Sequence, residues 1–89
     1  MKLQKNNNIL ELRNRKELSQ NTVATYLNYK QNSYSFLERE KRRISINTVL
    51  KLAILYDVSI LYLLSIDENP TKLDPHSRKT IMKHYKITE

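Results

Sequence analysis

Apolar side chains recur along this chain at intervals of three and four residues, the spacing that lines one face of an α-helix. The repeats predict five helices, over residues 6–16, 20–27, 31–39, 47–56 and 60–66. The chain has no glycine and only two prolines, Pro70 and Pro75. Because tight β-turns usually recruit glycine, hairpins are disfavoured. The pattern therefore predicts an all-α fold.

Polar residues at the expected helix boundaries support this division. Ser19 stands where the N-cap of the second helix belongs, since its hydroxyl accepts a hydrogen bond from a first-turn amide. Asn28 follows that helix, and asparagine best replaces glycine where the backbone is left-handed. Asp74 and Pro75 predict a sixth helix over residues 75–86, with the aspartate as cap. We therefore expect a domain over residues 1–66 and a tail over residues 67–89.

The third predicted helix has two chemically different faces. At about 100° per residue, its inward face holds Tyr34, Leu37 and Glu38. The outward face holds Asn32, Ser35, Phe36 and Arg39. The remaining helices are expected to bury Ile9, Leu12, Val23, Ala24, Leu27, Val49, Leu52, Ala53, Tyr56, Ile60, Leu63 and Leu64.

The fourth and fifth helices carry more apolar residues than one core needs. The same rotation places four of them outward, namely Ile54, Leu55, Leu61 and Tyr62. A patch of that size exceeds what a soluble monomer normally leaves open. Either the tail helix covers it with Ile81, Met82 and Tyr85, or a second subunit does, or the tail crosses to the partner. These seven residues are the predicted homodimer interface.

Charge is distributed unevenly. The chain carries a net charge of +7, with 11 basic and four acidic residues in 1–56 and three acidic and no basic residues in 57–68. Positive charge confined to one segment suits a surface that follows phosphates, although a basic surface kept for solubility has the same composition. Charge alone leaves both interpretations open.

The segment from Ile9 to Leu64 resembles the Cro/lambda-repressor-type (XRE) helix-turn-helix domain. The resemblance rests on "LSQ" at 18–20, the small Ala24, Leu27, the Leu37-Glu38-Arg39 triplet, the basic loop 40–43, "TVLKLA" at 48–53 and "VSI" at 58–60. It implies a five-helix lambda-repressor-like domain, here followed by a short sixth helix. In such a domain the third helix enters the major groove of DNA and the second helix lies across the backbone and supports it. The family usually has glycine at the positions of Glu17, Asn28 and Glu40, and proline near Ile44, so the loops depart from its pattern.

The resemblance also implies which side chains meet DNA. The expected base contacts are Gln31, Asn32, Ser35 and Phe36. Gln and Asn side chains bond bidentately to adenine, and the ring suits a thymine methyl. The expected phosphate contacts are Ser19, Gln20, Lys30, Arg39, Lys41, Arg42 and Arg43. Each also has a plainer interpretation, since polar residues on a short helix are often only solvated and Phe36 suits a partner's groove. The resemblance implies a structural ion pair between Arg13 and Glu38.

Catalysis finds little support in the sequence. His76 and His84 lie in the tail with Asp74 as the nearest acid, no cysteine is present, and no His/carboxylate cluster has metal-ligand spacing. We expect no enzyme activity, cofactor or metal.

The first eight residues lack the apolar core of a secretion signal, and the longest apolar run, 58–66, is too short to span a bilayer. A cytoplasmic protein that does not bind membranes is expected.

Three functions follow from these observations. The first is a sequence-specific, dimeric transcriptional regulator, a repressor that binds double-stranded DNA at an inverted-repeat operator. The second is an antitoxin or antagonist whose fourth and fifth helices bind a partner protein while the domain binds its own operator. The third is nonspecific nucleoid or RNA binding, for which the sequence of the nucleic acid matters little.

Overall fold

The computed structural model describes residues 7–39, 44–64 and 66–86, and those residues form helices and loops without strands. The helices are α1 (Asn7–Arg15), α2 (Gln20–Leu27), α3 (Gln31–Arg39), α4 (Ile46–Tyr56), α5 (Ile60–Leu63) and α6 (Pro75–Tyr85). The predicted all-α fold is confirmed. Among the described residues, no helix is both long and apolar enough to cross a membrane.

Short polar side chains cap the N-termini of four of these helices. Ser19 Oγ accepts a hydrogen bond from the Thr22 amide at 3.0 Å, and Ser45 Oγ accepts one from the Thr48 amide at 3.1 Å. Similar bonds start α5 and α6, where the caps are Ser59 and Asp74. Each cap satisfies an amide that has no partner within its helix, which makes the start of the helix a local property of the sequence.

Left-handed residues end the helices in a chain that has no glycine. Glu17 and Asn28 take φ values of 55° and 63° after α1 and α2. The next residue in each case closes the turn: the Leu18 amide donates to the Arg13 carbonyl at 3.1 Å, and the Tyr29 amide donates to the Ala24 carbonyl at 2.8 Å. These six-to-one bonds define the Schellman motif, which normally uses glycine at the left-handed position. Asp57 and Lys86 are left-handed after α4 and α6.

The chain divides into two compact units, the first ending at Ile44 and the second beginning at Ser45. In the first unit, α3 packs against α2 and α1, and Ile9, Val23 and Tyr34 are almost fully buried. In the second unit, α4 packs against α5 and α6, with Val49 and Leu52 fully buried. The predicted division at residue 66 follows the family resemblance and stays a prediction.

Helix α5 is shorter than its apolar pattern predicts. The prediction of a helix over 60–66 is wrong, because α5 ends at Leu63 and the amides of Ile66 and Asp67 both donate to the Leu61 carbonyl. The chain turns there instead of continuing the helix. Leu64, predicted to be buried, is 37% exposed, and Ile60 is only half-buried.

The prediction that Ile54 and Tyr62 face outward is also wrong. Both are buried, whereas Leu55 is half-buried and Leu61 is 47% exposed. For Ile54 the physical reason is α6, which packs against α4 and gives that helix a second buried side. Arg78 stabilises the packing of α6 on α4, because its Nη1 donates to the Ile54 carbonyl at 3.3 Å.

Of the tail residues predicted to cover the patch, Ile81 is buried, while Met82 and Tyr85 are half-buried. Asp57 completes the attachment of the tail, with Arg78 at 3.4 Å and Lys72 at 3.8 Å from its carboxylate. The backbone adds one further bond, from the Ser59 amide to the Thr71 carbonyl at 2.8 Å. The tail is therefore part of the second unit.

Replacing Glu17 by glycine is expected to stabilise the protein. A side chain with a Cβ atom costs about 1–2 kcal/mol in the left-handed conformation, and glycine avoids that cost. We expect Glu17→Gly to raise the free energy of unfolding in urea by about 1 kcal/mol. The control is Asn14→Gly, within α1, which should lower it by about 0.3 kcal/mol. A loss of stability at Glu17 would contradict the argument.

Candidate nucleic-acid interface

Helices α2 and α3 form two short helices joined by a tight turn. The turn occupies residues 28–30, and Asn28 reverses the chain with φ 63° and ψ 39°. The Tyr34 amide then donates to the Lys30 carbonyl at 3.0 Å as α3 begins. The two helices pack directly on each other. This arrangement presents the second helix of the pair to a partner while the first supports it.

The two faces of α3 differ in exposure as the periodicity predicts. Tyr34, Leu37 and Glu38 are buried. On the opposite side Asn32, Phe36 and Arg39 are exposed and Ser35 is half-buried, and Gln31 is exposed in the first turn. The structure therefore leaves the predicted base-contacting residues accessible on one helix. Their contact with bases stays a prediction.

A buried carboxylate holds α3 in place. Arg13 of α1 donates to both oxygens of Glu38, from Nε at 2.6 Å and from Nη2 at 3.1 Å. The side chains are 13% and 3% exposed, so the ion pair implied by the resemblance is present and largely shielded from water. Arg13 also donates to the Leu18 carbonyl at 2.9 Å. This pair therefore ties α3 to α1 and to the turn after α1.

The sequence did not indicate that Gln20 also binds Glu38. Its Nε2 donates to Glu38 Oε1 at 3.0 Å, which adds α2 to the same network. We expected the Gln20 amide to hold a phosphate, and one of its two N–H groups is directed inward instead. The second N–H group is still chemically able to donate to a phosphate. No sequence signal separates these roles, because they use the same group.

Hydrogen bonding overcomes burial at Glu38. Burial of the carboxyl by itself raises its pKa, because the charged form loses its hydration. Hydrogen bonds from Arg13 and Gln20, together with the positive charge of Arg13, outweigh that effect. The pKa of Glu38 therefore lies below its ordinary value, and the carboxylate is ionised at neutral pH.

Phe36 is the one aromatic side chain on the exposed face of α3. Its exposed fraction is 38%, and the Arg39 guanidinium carbon lies 5.4 Å from the ring centroid. A cation over a ring at this distance is attracted by the negative face of the π system. The contact restrains both side chains, so that an apolar ring and a positive charge are presented together.

The predicted phosphate contacts are placed less completely. Lys30 and Arg39 are exposed at the two ends of α3. The Ser19 hydroxyl is exposed but already caps α2 and lies 2.8 Å from the Thr22 hydroxyl. Lys41, Arg42 and Arg43 lie outside the described residues.

Within the described ranges, no group of three or more acidic or histidine side chains is arranged to hold a metal ion.

A family model described as helix-turn-helix matches residues 9–63, which is more than half of the chain. This protein belongs to that helix-turn-helix family, of the Cro/lambda-repressor type. No curated protein and no solved structure matches the chain significantly. The family consists of regulatory proteins that bind DNA and are not typically enzymes. The helix-turn-helix protein described here is accordingly a DNA-binding transcription regulator whose partner is double-stranded DNA.

The Glu38 network makes the helix-turn-helix sensitive to acid. A lowered pKa means that the ionised carboxylate stabilises the fold fully above the pKa of an unfolded glutamate, about 4.3. That stabilisation is lost as the pH falls through the lower pKa of the folded state. We expect Glu38→Gln to cost about 3 kcal/mol at neutral pH, because Arg13 loses its buried counter-charge. Its deficit relative to the parent should shrink as acid protonates Glu38 in the parent.

Glu11→Gln is the matched control for this experiment. Glu11 pairs with Arg15 at 3.1 Å on the surface of α1, where both side chains are more than half exposed. Exposed pairs of this kind contribute little, so the control should unfold like the parent. Chemical unfolding at several pH values measures both variants. Equal stability of the Glu38→Gln variant and the parent at neutral pH would refute the structural role.

Proposed function

We propose that this helix-turn-helix protein is a sequence-specific transcriptional repressor that binds as a homodimer to an inverted-repeat operator. The observation that carries the proposal is the rigidly held α3, whose inward face is fixed through Glu38 to α1 and α2 while its outward face stays accessible. A helix that enters the major groove must keep its orientation to read bases. A bound dimer would repress by occupying sites that other proteins need.

In this proposal, the start of α3 reads the bases. Gln31 and Asn32 are exposed in its first turn, and their amides suit the paired donor and acceptor of adenine. Ser35 offers a hydroxyl further along the face. Phe36, restrained by Arg39, would contact a thymine methyl with the part of its ring that remains exposed.

The proposed phosphate contacts precede and follow the base-reading residues in the sequence. They are Ser19, Gln20, Lys30, Arg39, Lys41, Arg42 and Arg43. Phosphate contacts fix the register of the protein on the duplex but carry no sequence information directly. Lys30 and Arg39, at opposite ends of α3, would bracket the base-reading residues. Gln20 would bind a phosphate through the N–H group that Glu38 does not use.

An apolar surface around α5 supports the proposed dimer. Leu61 and Leu64 lie one helical turn apart and are 47% and 37% exposed, and the Ile66 amide is bonded to the Leu61 carbonyl. Ile66 is 59% exposed. We refer to Leu61, Leu64 and Ile66 as the α5 patch. It replaces the predicted interface, because Ile54 and Tyr62 are buried, and half-buried Leu55, Met82 and Tyr85 offer less area.

The α5 patch equally supports a second function. An antitoxin or antagonist module would use it to bind a partner protein of different sequence while α3 binds the operator. Exposed leucine and isoleucine side chains favour an apolar partner in either case. The two functions differ in what binds the α5 patch. The mass of the purified protein distinguishes them, because a dimer indicates a second copy and a monomer favours a different partner.

Selection from random duplexes at physiological salt is expected to return two inverted half-sites. Their centres should lie about 34 Å apart, one helical turn of DNA, because two recognition helices then enter successive major grooves. On the selected duplex, Asn32→Ala should cost about 1–3 kcal/mol and have little effect on unrelated DNA. Lys30→Ala should weaken all duplexes equally and lower the salt slope by about 0.9.

Competition binding against unrelated duplex measures both effects. If Asn32→Ala leaves the ratio of specific to nonspecific affinity unchanged, the assignment of base reading to the start of α3 is wrong. If selection returns no consensus, the protein binds DNA nonspecifically and the repressor proposal fails.

Leu61→Asp is expected to give a folded monomer that binds the operator more weakly. The side chain is exposed, so the charge should leave the core intact, yet it would be desolvated in a dimer interface. Light scattering at micromolar concentration should show the mass of a dimer for the parent and of a monomer for the variant. Ile46→Asp is the control for mass, since Ile46 is 59% exposed outside the α5 patch. A monomeric parent would contradict the dimer and favour a different partner.

A further inference from the structure

Helix α6 lies beyond residues 9–63, which the family model matches, and it has a strongly basic face. Residues 75–86 contain four lysine or arginine residues and no acid. Lys79 and Lys83 lie one turn apart on one side of the helix, and Lys86 is the left-handed residue directly after its last turn. All three are exposed, and Ile81, on the opposite side, is buried. We refer to these three residues as the lysine stripe.

The positive charges of the lysine stripe are not neutralised within the described part of the chain, where no carboxylate lies within ion-pairing distance of them. Arg78 of the same helix differs, because it pairs with Asp57 and anchors the tail. Like charges one helical turn apart repel each other and slightly destabilise the helix. A polyanion laid along the stripe would remove that repulsion and release its own counterions.

The C-terminal end of the lysine stripe is fixed to the first turn of α4. The Tyr85 hydroxyl is hydrogen-bonded to the Asn47 side chain, and Lys51 Nζ lies 5.6 Å from the centroid of the Tyr85 ring. These contacts hold the C-terminal end of the stripe to the start of α4 within the second unit.

We propose that the lysine stripe binds the sugar-phosphate backbone of duplex DNA. From Lys79 to the end of α6 at Tyr85 the helix rises about 9 Å, the axial length of nearly three phosphates on one strand. An acidic membrane surface is the less suitable polyanion, because membrane-bound amphipathic helices insert an apolar face, and in α6 Ile81 is already buried while Met82 and Tyr85 are half-buried. The inference rests on the proposed DNA-binding function and gives the tail a role in it.

The test is the salt dependence of binding by the full chain to the selected operator. Lys79→Gln with Lys83→Gln should lower the slope of log affinity against log salt by about 1.8, because each phosphate that a lysine neutralises adds about 0.9 to the slope. The ratio of specific to nonspecific affinity should not change, since backbone contacts carry no sequence information. The matched control uses single variants: Lys16→Gln, which removes an exposed lysine from the first unit, should leave the slope close to that of the parent, whereas Lys79→Gln alone should lower it by about 0.9.

Three further measurements make the result decisive. Circular dichroism should show an unchanged fold, because both lysines are exposed, and Lys79→Arg with Lys83→Arg should keep the parental slope. Equal slopes for the Lys79/Lys83 variant and the control would overturn the inference while the parent still binds its operator. Failure of the parent to bind DNA would instead refute the proposed function. Loss of binding to phosphatidylserine vesicles with an unchanged DNA slope would assign the stripe to membranes and overturn the inference.

Discussion

One buried negative charge organises the helix-turn-helix unit. Glu38 lies on the inward side of the recognition helix, and its carboxylate accepts hydrogen bonds from Arg13 of α1 and Gln20 of α2. A carboxylate removed from water is costly unless charge and hydrogen bonds replace its hydration. The observed placement of the three helices meets that requirement. The orientation of the outward face, and hence the proposed base reading, depends on it.

The absence of glycine places a second constraint on the same unit. Asn28 must take the left-handed conformation for α2 and α3 to meet at a tight turn, and its short polar side chain tolerates that conformation. Glu17 takes the same conformation after α1 with a longer side chain that offers no such advantage. The turn before α3 is thus well suited to its sequence, whereas the turn before α2 retains strain that a glycine would remove.

The two ends of the chain divide the proposed binding of DNA between them. In the first unit, an exposed polar face with one restrained aromatic ring offers hydrogen bonds and apolar contact, the chemistry that distinguishes bases. In the second unit, the lysine stripe offers charge alone, which increases affinity without selecting a sequence. The α5 patch is apolar and suits a protein surface. The three faces therefore suit bases, phosphates and a protein surface, respectively.

The sequence by itself determined the features that depend on neighbouring residues. Ser19, Asn28 and Asp74 mark helix ends because capping and left-handed backbone involve only local groups, and periodicity correctly separated the two faces of α3. Tertiary structure decided the burial of Ile54, the early end of α5 and the inward bond of Gln20. Periodicity cannot reveal that α6 packs on α4 and gives it a second buried side. Nor can it show which acceptor an amide will find, because both depend on residues distant in the chain.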